Sequence, residues 1–394
     1  MSERYDVVIV GAGIHGVGIA QAAAARGHRV LVLEQQAIAA GTSSRSSKLI
    51  HGGLRYLEQF DLKLVRECLR ERELLLRLAP RLVYLTPFYI PVYAHTRRRP
   101  WQVRAGLSLY ALLGGLRAHA RFQTLPRNRW DTMQGLEREG LQAVFRYCDA
   151  QTDDAALTRA VMASASSLGA ELWIPATFEQ ATLHADGCEI RFNCDGTAHT
   201  VQSRVLVNAA GPWVNQVAAR ISPALSQPPI DLIQGTHIVV DEAVADSIYY
   251  VEAPQDGRAI FIMPWHDQTT LVGTTETAFM GDDPAQVEPL PGEERYLLDV
   301  LHRYFPHASS DVLTRFAGVR VLPRGPGGAF RQSREILFVT DRPRQPRVLG
   351  VYGGKLTSYR ADAQQALRHL ADALPARQPI ADTRQLTLAD PEHS

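Results

Sequence analysis

Cysteine is scarce: Cys68, Cys148, Cys188 and Cys194 are the only four in 394 residues, and they form neither paired CxxC units nor a dense run of half-cystines. That excludes a zinc ribbon and a disulfide-stapled scaffold, and reduced thiols in a reducing compartment are expected. Long apolar runs are missing as well. No stretch approaches the ~20 residues that would cross a bilayer, and the first residues carry no basic leader with an apolar core, so neither an integral membrane protein nor secretion is expected. Charge of one sign is also absent, with 42 basic against 41 acidic residues. Nothing global therefore attracts nucleic acid, and any anion site has to be built locally. No internal repeat and no set of metal-ligand spacing interrupts the chain, and no metal is expected. The apolar content of 45% and the length suit one large domain or two interleaved ones.

What is present begins at once. YDVVIV reads as a buried strand, GAGIHG as a turn, IHGVGIAQAAAARG as a helix and RVLVLE as a second strand. Gly11, Gly13 and Gly16 thus form G-x-G-x-x-G between a strand and a helix opened by Ile14 and His15, the context in which the motif holds a dinucleotide. Glycines let the backbone approach a pyrophosphate, and the helix N-terminus favours its charge. Glu34, ending the second strand, is placed to accept from a ribose diol. The plainer alternative is a glycine-rich turn chosen only for packing. Two later segments repeat the strand, small-residue turn and helix: SRVLVNAAGPWVNQVAA at 203–219, with Ala210, Gly211 and Trp213 in its turn, and RVLGVYGGKLTSYRADAQQALRHLADAL at 347–374. In the second, Lys355, Leu356 and Thr357 follow Gly354 and read as the start of a helix whose amides and dipole favour an anion.

Between them, TSSRSSKLIHGGLRYLEQ at 42–59 is too polar for a core strand and too patterned for a solvated loop. It runs directly into the helix-like EQFDLKLVRECLRERELLLRL.

The order GAGIHG, TSSRSSKLIHGGLRYLEQ, NAAGPW, GTHIVV, GVR and GGKLTSYR resembles the FAD-dependent glycerol-3-phosphate dehydrogenases, within the wider D-amino-acid-oxidase-like group, from about residue 4 to about residue 370. The resemblance implies non-covalent FAD. Thr42, Ser43, Ser44, Ser46 and Ser47 would meet its pyrophosphate and ring edge, and Lys48, Leu49, His51, Gly52, Gly53 and Gly318 would line it. Arg55 and Tyr56 would face the substrate, Arg320 with Arg55 and Arg334 would clamp a phosphate, and Thr274 and Thr275 would close the site. His237 is implied as the base for the C2 hydroxyl, although a histidine in an apolar strand is more often a satisfied structural group. Lys355 would support it electrostatically. The implied reaction is oxidation of sn-glycerol 3-phosphate to dihydroxyacetone phosphate, with electrons passed to a quinone or another acceptor.

The expected fold is α/β: a Rossmann-like FAD-binding domain (1–80, 149–218 and 333–372) interleaved with an antiparallel-sheet substrate domain (81–148 and 219–332), then a partly ordered tail at 373–394. LVYLTPFYIPVYA, PIDLIQGTHIVVD, AIFIMPW and TTLVGTTE are short, apolar and bounded by Pro, Gly or Asp, as strands of such a sheet should be. LPRGPGGAFRQ at 322–332 reads as a loop. RRRPWQVRAGLSLYALLGGLRAHAR at 97–121 fits either a packed helix after a basic loop or a helix lying on an anionic membrane with Trp101 and Tyr110 at the interface. A cytoplasmic protein, peripheral on the membrane's cytoplasmic face, follows from the second choice, and a homodimer is compatible with the resemblance. Larger members of the resembled family continue into a helical C-terminal domain, whereas this sequence stops soon after GGKLTSYR. Two other readings remain at this level: a flavoenzyme acting on a 2-hydroxy acid or amino acid, and a flavin-binding module without turnover.

Overall fold

YDVVIV and VLVL pair in parallel, and the later apolar strands add beside them because each is apolar on both faces and has to be covered twice. The structure, a computed structural model, describes residues 3–324 and 336–389. Among the described residues the first sheet has nine strands. Its parallel centre sets Glu171–Trp173, Val30–Leu33, Arg4–Val10, Thr197–Asn208 and Val348–Tyr352 side by side. One face is covered by the helices Ile14–Ala25, Asp154–Ser167 and Tyr359–His369, whose alanines and leucines share a core with Val7, Ile9 and Val207. Gly18 lets the first and last of these helices touch, since a Cβ there would lie 2.8 Å from the Tyr359 ring. On the other face an antiparallel meander brings Phe178, Ile190 and Phe192 against Val8 and Leu31.

The four apolar segments read as antiparallel strands form the body of a second, ten-stranded sheet among the described residues. Ile230–Val240 lies between Val312–Pro323 and Thr270–Gly273, and Ala259–Pro264 and Ile248–Glu252 continue outward. Val83–Tyr93 then joins Ile248–Glu252 in parallel and pairs antiparallel with Leu141–Thr152. The boundary drawn at residue 149 falls inside that last strand. Leu49–Ile50, placed with the cofactor domain, also pairs with it, so the polar stretch at 42–53 is the crossing from one sheet to the other.

Two local expectations are corrected. The last helix begins at Tyr359 rather than at Lys355, because Gly353 and Gly354, at φ +76° and +99°, turn the chain and residues 355–358 form a further turn. Tyr110 is not at a surface: in the helix Pro100–Leu113 it is buried and donates to Asp149 (2.7 Å), while Trp101 is the exposed aromatic. The segment 373–389, read as part of a partly ordered tail, is docked. Ile380 N and Ala381 N donate to Ala25 O, Leu388 N donates to Leu78 O, and the Leu388 side chain enters the first core. The loop expected at 322–332 lies largely outside the described residues. The four cysteines are free, as read.

Candidate active site

The chain leaves Arg4–Val10 at Gly11, φ +102°, where a Cβ would fall 2.7 Å from Ala209 O; a Cβ on Gly16 would lie 2.0 Å from Gly11 O. Only glycine fits either position. Glu34 is held at the same end, its carboxylate accepting from Ala12 N (2.8 Å) and Gln36 N (2.9 Å). From Glu34 and Gln36 a cleft of about 410 Å³ extends between the sheets to His237, Thr274 and Arg320, within the size range of cofactor sites.

The polar stretch is pinned along one wall of this cleft. Ser43 Oγ accepts from Ile14 N (2.9 Å), Thr42 Oγ1 donates to Val319 O (2.5 Å) and Arg45 donates to Ala317 O (3.1 Å). Ser46 N and Oγ both donate to Asp154 (2.9 and 2.6 Å), and His51 N donates to Thr357 Oγ1 (3.1 Å). Its hydroxyls and amides thus tie the first glycine turn, the second sheet and the last turn into one surface.

Of the expected site residues, Gly11, Gly13, Ile14, His15, Glu34, Thr42, Ser43, Ser46, Ser47, Leu49, His51, Tyr56, Ala210, Gly211, Trp213, His237, Thr274, Gly318, Arg320, Gly354, Lys355, Leu356 and Thr357 line the cleft. The others are placed behind or beside it. Lys48 turns away and pairs with Asp154 Oδ1 (2.5 Å), both side chains almost fully buried. Ser44 Oγ donates back to Gly41 O (3.3 Å), and Gly52 N donates to Tyr110 OH (2.8 Å). Gly53 makes the turn before Tyr56, at φ +75°. Gly16 packs on Gly11, and Thr275 is drawn into a buried knot with Glu293 and Thr236 N. Arg55 faces Glu276 at 3.5 Å. Arg334 lies outside the described residues. Sequence reasoning missed Arg45, Gly235 and Asp154. Asp154 had a local signal, following the helix cap Asp153, but its partner lies 106 residues earlier in the chain.

Burial pushes the Asp154 carboxyl up while Lys48 and Ser46 pull it down. Removing its charge would strand a buried ammonium, which typically costs about 3–5 kcal/mol. Asp154→Asn is accordingly expected to lower the urea-unfolding free energy by about that amount; a loss below about 1 kcal/mol would show that the pair is not needed to hold the loop.

His237 sits deep in the other wall. Its ring stacks on Phe316 (5.0 Å between centroids, 15° between planes) and lies against Gly273, where a Cβ would be 2.1 Å from Cδ2. Nε2 is 3.0 Å from Ser47 Oγ. Burial, Lys48 and Arg320 together lower its pKa to about 3, so the imidazole is neutral at ordinary pH. Opposite features complete the wall: a Cβ on Gly235 would come within 2.7 Å of both Arg320 Nη2 and Thr274 Oγ1, so the missing side chain admits both groups. Two buried polar atoms of cleft residues have no hydrogen-bond partner among the described residues, His237 Nδ1 and Lys355 Nζ; the latter lies 4.1 Å from the Tyr56 ring centroid. Unmatched buried groups of this kind point to a polar ligand.

A parallel sheet with a glycine turn, an acid ending the next strand, and a cleft roofed by an antiparallel sheet define a dinucleotide-dependent oxidoreductase of the flavoprotein type. Residues 6–360 match the family described as FAD dependent oxidoreductase. The chain is 39% identical to a glycerol-3-phosphate dehydrogenase of Pseudomonas aeruginosa, over 94% of this chain and 72% of that one. It is 35% identical to a D-erythritol 1-phosphate dehydrogenase of Brucella abortus, over 95% and 75%. Its fold matches the glycerol-3-phosphate dehydrogenase of Bacillus halodurans solved with FAD, at a TM-score of 0.75 and 25% identity, covering 98% of this chain and 68% of that one. The chain belongs to the FAD-dependent oxidoreductase family, in the branch that holds these polyol-phosphate dehydrogenases.

FAD is its cofactor, and the residues fit it. Gly11 and Gly16 permit the tight turn at the cleft's end, Glu34 would meet a ribose with its fixed carboxylate, and the buried, unmatched Lys355 Nζ would meet the cofactor at the other end. Gly16→Ala is expected to purify without the yellow of bound flavin; a variant carrying near-stoichiometric FAD would remove Gly16 from the account of the site.

Among the described residues no helix is long and apolar enough to cross a membrane, and no cluster of His, Cys, Asp or Glu is placed to hold a metal.

Proposed function

We propose that the protein oxidises sn-glycerol 3-phosphate at C2, giving dihydroxyacetone phosphate. The observation that carries this reading is a neutral buried imidazole and a guanidinium in one cleft wall, His237 and Arg320, beside the bare strand position Gly235. Arg320 donates from Nη2 to Thr275 O (3.1 Å) and meets Glu276 Oε1 at 3.5 Å, and its planar fork suits phosphate oxygens. Arg55 stands next to it across Glu276. With the phosphate fixed, His237 accepts the proton of the C2 hydroxyl. A dianion paired with Arg320 would offset one of the two charges that hold the imidazole pKa down, moving it toward the range a base needs. Bound FAD supplies the two-electron acceptor for the hydride that leaves C2. Lys355, whose Nζ is buried beside the Tyr56 ring, stabilises negative charge that builds up on that side of the cleft.

The Brucella relative gives a second reading specific support: a longer polyol phosphate oxidised at the corresponding carbon. Steady-state kcat/KM for glycerol 3-phosphate, D-erythritol 1-phosphate, glycerol and lactate separates these. A clear preference for glycerol 3-phosphate supports the first reading. Preference for the four-carbon phosphate moves the assignment to the second, and preference for lactate excludes both.

We read the electron acceptor as a quinone, met at a membrane surface. Phe60, Trp101, Leu112 and Leu116 are exposed at 85%, 70%, 60% and 54% around the helix Pro100–Leu113, next to the arginines at 97–99. That combination suits an anionic interface. Turnover with a soluble quinone together with sedimentation on anionic vesicles is expected; turnover on oxygen alone, with no vesicle binding, contradicts this part of the reading.

A further inference from the structure

Glu276 lies in the middle of three guanidiniums. Its Oε2 is 3.5 Å from Arg55 Nη2 and 3.4 Å from Arg258 Nη1, and its Oε1 is 3.5 Å from Arg320 Nη1. The carboxylate is nearly buried, at 11% exposure, whereas Arg55 and Arg320 keep 35% and 28%. Its three attachments differ in kind. Arg258 is fixed from behind by Asp256 (3.2 Å) and also donates to the Glu276 carbonyl at 2.9 Å, so it tethers the residue. Arg55 and Arg320 meet its carboxylate at 3.5 Å, well beyond the ~2.7–2.9 Å of a tight guanidinium–carboxylate bond, and Arg320 also donates to Thr275 O (3.1 Å).

We propose that Glu276 is a built-in competitor at the anion site, its carboxylate occupying Arg55 and Arg320 until a phosphate takes them over. The proposal rests on the reading that Arg55 and Arg320 clamp a phosphate. A tethered carboxylate competes at high effective concentration, and each ligand has to displace it, so the apparent dissociation constant rises by the inverse of the fraction of protein in which the arginines are open. A phosphate monoester brings two charges and three oxygens to the fork and can win that exchange. Arg258 retains Glu276 meanwhile, and the carboxylate is on hand to reclaim the arginines when product leaves. Glu276 thereby weakens substrate and product binding together. A residue that merely held the arginines in position would do the opposite: its removal would weaken binding.

The test is calorimetric titration of inorganic phosphate into the FAD-loaded wild type, Glu276→Gln and Glu276→Ala, with flavin content confirming each fold. Release of a partly exposed ion pair is expected to tighten phosphate binding by about fivefold in both variants. The alanine variant decides if the two differ, since it keeps no hydrogen-bonding group. Unchanged or weaker phosphate binding in Glu276→Ala overturns the proposal. Tightening without flavin reduction by glycerol 3-phosphate would sink the proposed substrate and leave the competitor standing; reduction without tightening would do the reverse.

Discussion

Replacing His237 with glutamine is expected to lower kcat by about 10²- to 10⁴-fold, the usual worth of a positioned base, with a much smaller change in KM. Glutamine approximates the volume beside Phe316 and can still meet Ser47 Oγ, so flavin content should survive. The same variant carries a signature in stability. The wild-type imidazole, at an ordinary pKa of 6.5 when unfolded, is held to about 3 in the fold. Between those values the unfolded chain binds a proton that the folded chain refuses, so stability is complete above about pH 6.5 and falls as the pH drops toward 3, by a few kcal/mol in all. His237→Gln should flatten that part of the pH–stability curve. Urea titrations at several pH values would show it, and an unchanged slope together with an unchanged kcat would return His237 to the status of a structural histidine.

Arg320→Ala should act on the other kinetic constant. Losing one partner of a buried charge pair commonly costs about 2 kcal/mol or more, so KM for glycerol 3-phosphate is expected to rise by about 30-fold or more while FAD stays bound. Arg320→Lys keeps a charge but not the planar fork, and should fall between the two. A KM within about threefold of wild type in Arg320→Ala would take this residue out of the clamp.

The parts of this site that were readable in the sequence are those where one residue's chemistry and its near neighbours suffice. Gly11 and Gly16 sit between an apolar strand and a helix, and Glu34 ends the next strand; the positive φ of Gly11 and the approach of Gly16 to Gly11 O are local constraints that glycine meets. The four strands of the second sheet were equally legible, because their apolar runs are bounded by turn residues. What was not legible depends on long-range pairing. Lys48 looked like its polar neighbours, yet the chain takes it to φ +59° and its ammonium to Asp154, 106 residues away. Tyr110 shares a basic, aromatic segment with exposed Trp101, and only its position on the helix facing Asp149 and Gly52 sends it inward. Thr274 and Thr275 are adjacent and alike, in the irregular stretch that follows the strand Thr270–Gly273, yet one lines the cleft and the other bonds Glu293. The docking of the tail is long-range too: Leu388 N and the amides of Ile380 and Ala381 donate to Leu78 O and Ala25 O, respectively.

The most direct measurement is anaerobic: the visible spectrum of the purified yellow protein before and after addition of glycerol 3-phosphate, with glycerol and lactate as controls. Bleaching of the oxidised flavin band by glycerol 3-phosphate, and by neither control, is the predicted result. A band that persists with glycerol 3-phosphate, or that bleaches equally with lactate, would contradict a phosphate-directed oxidation in this cleft.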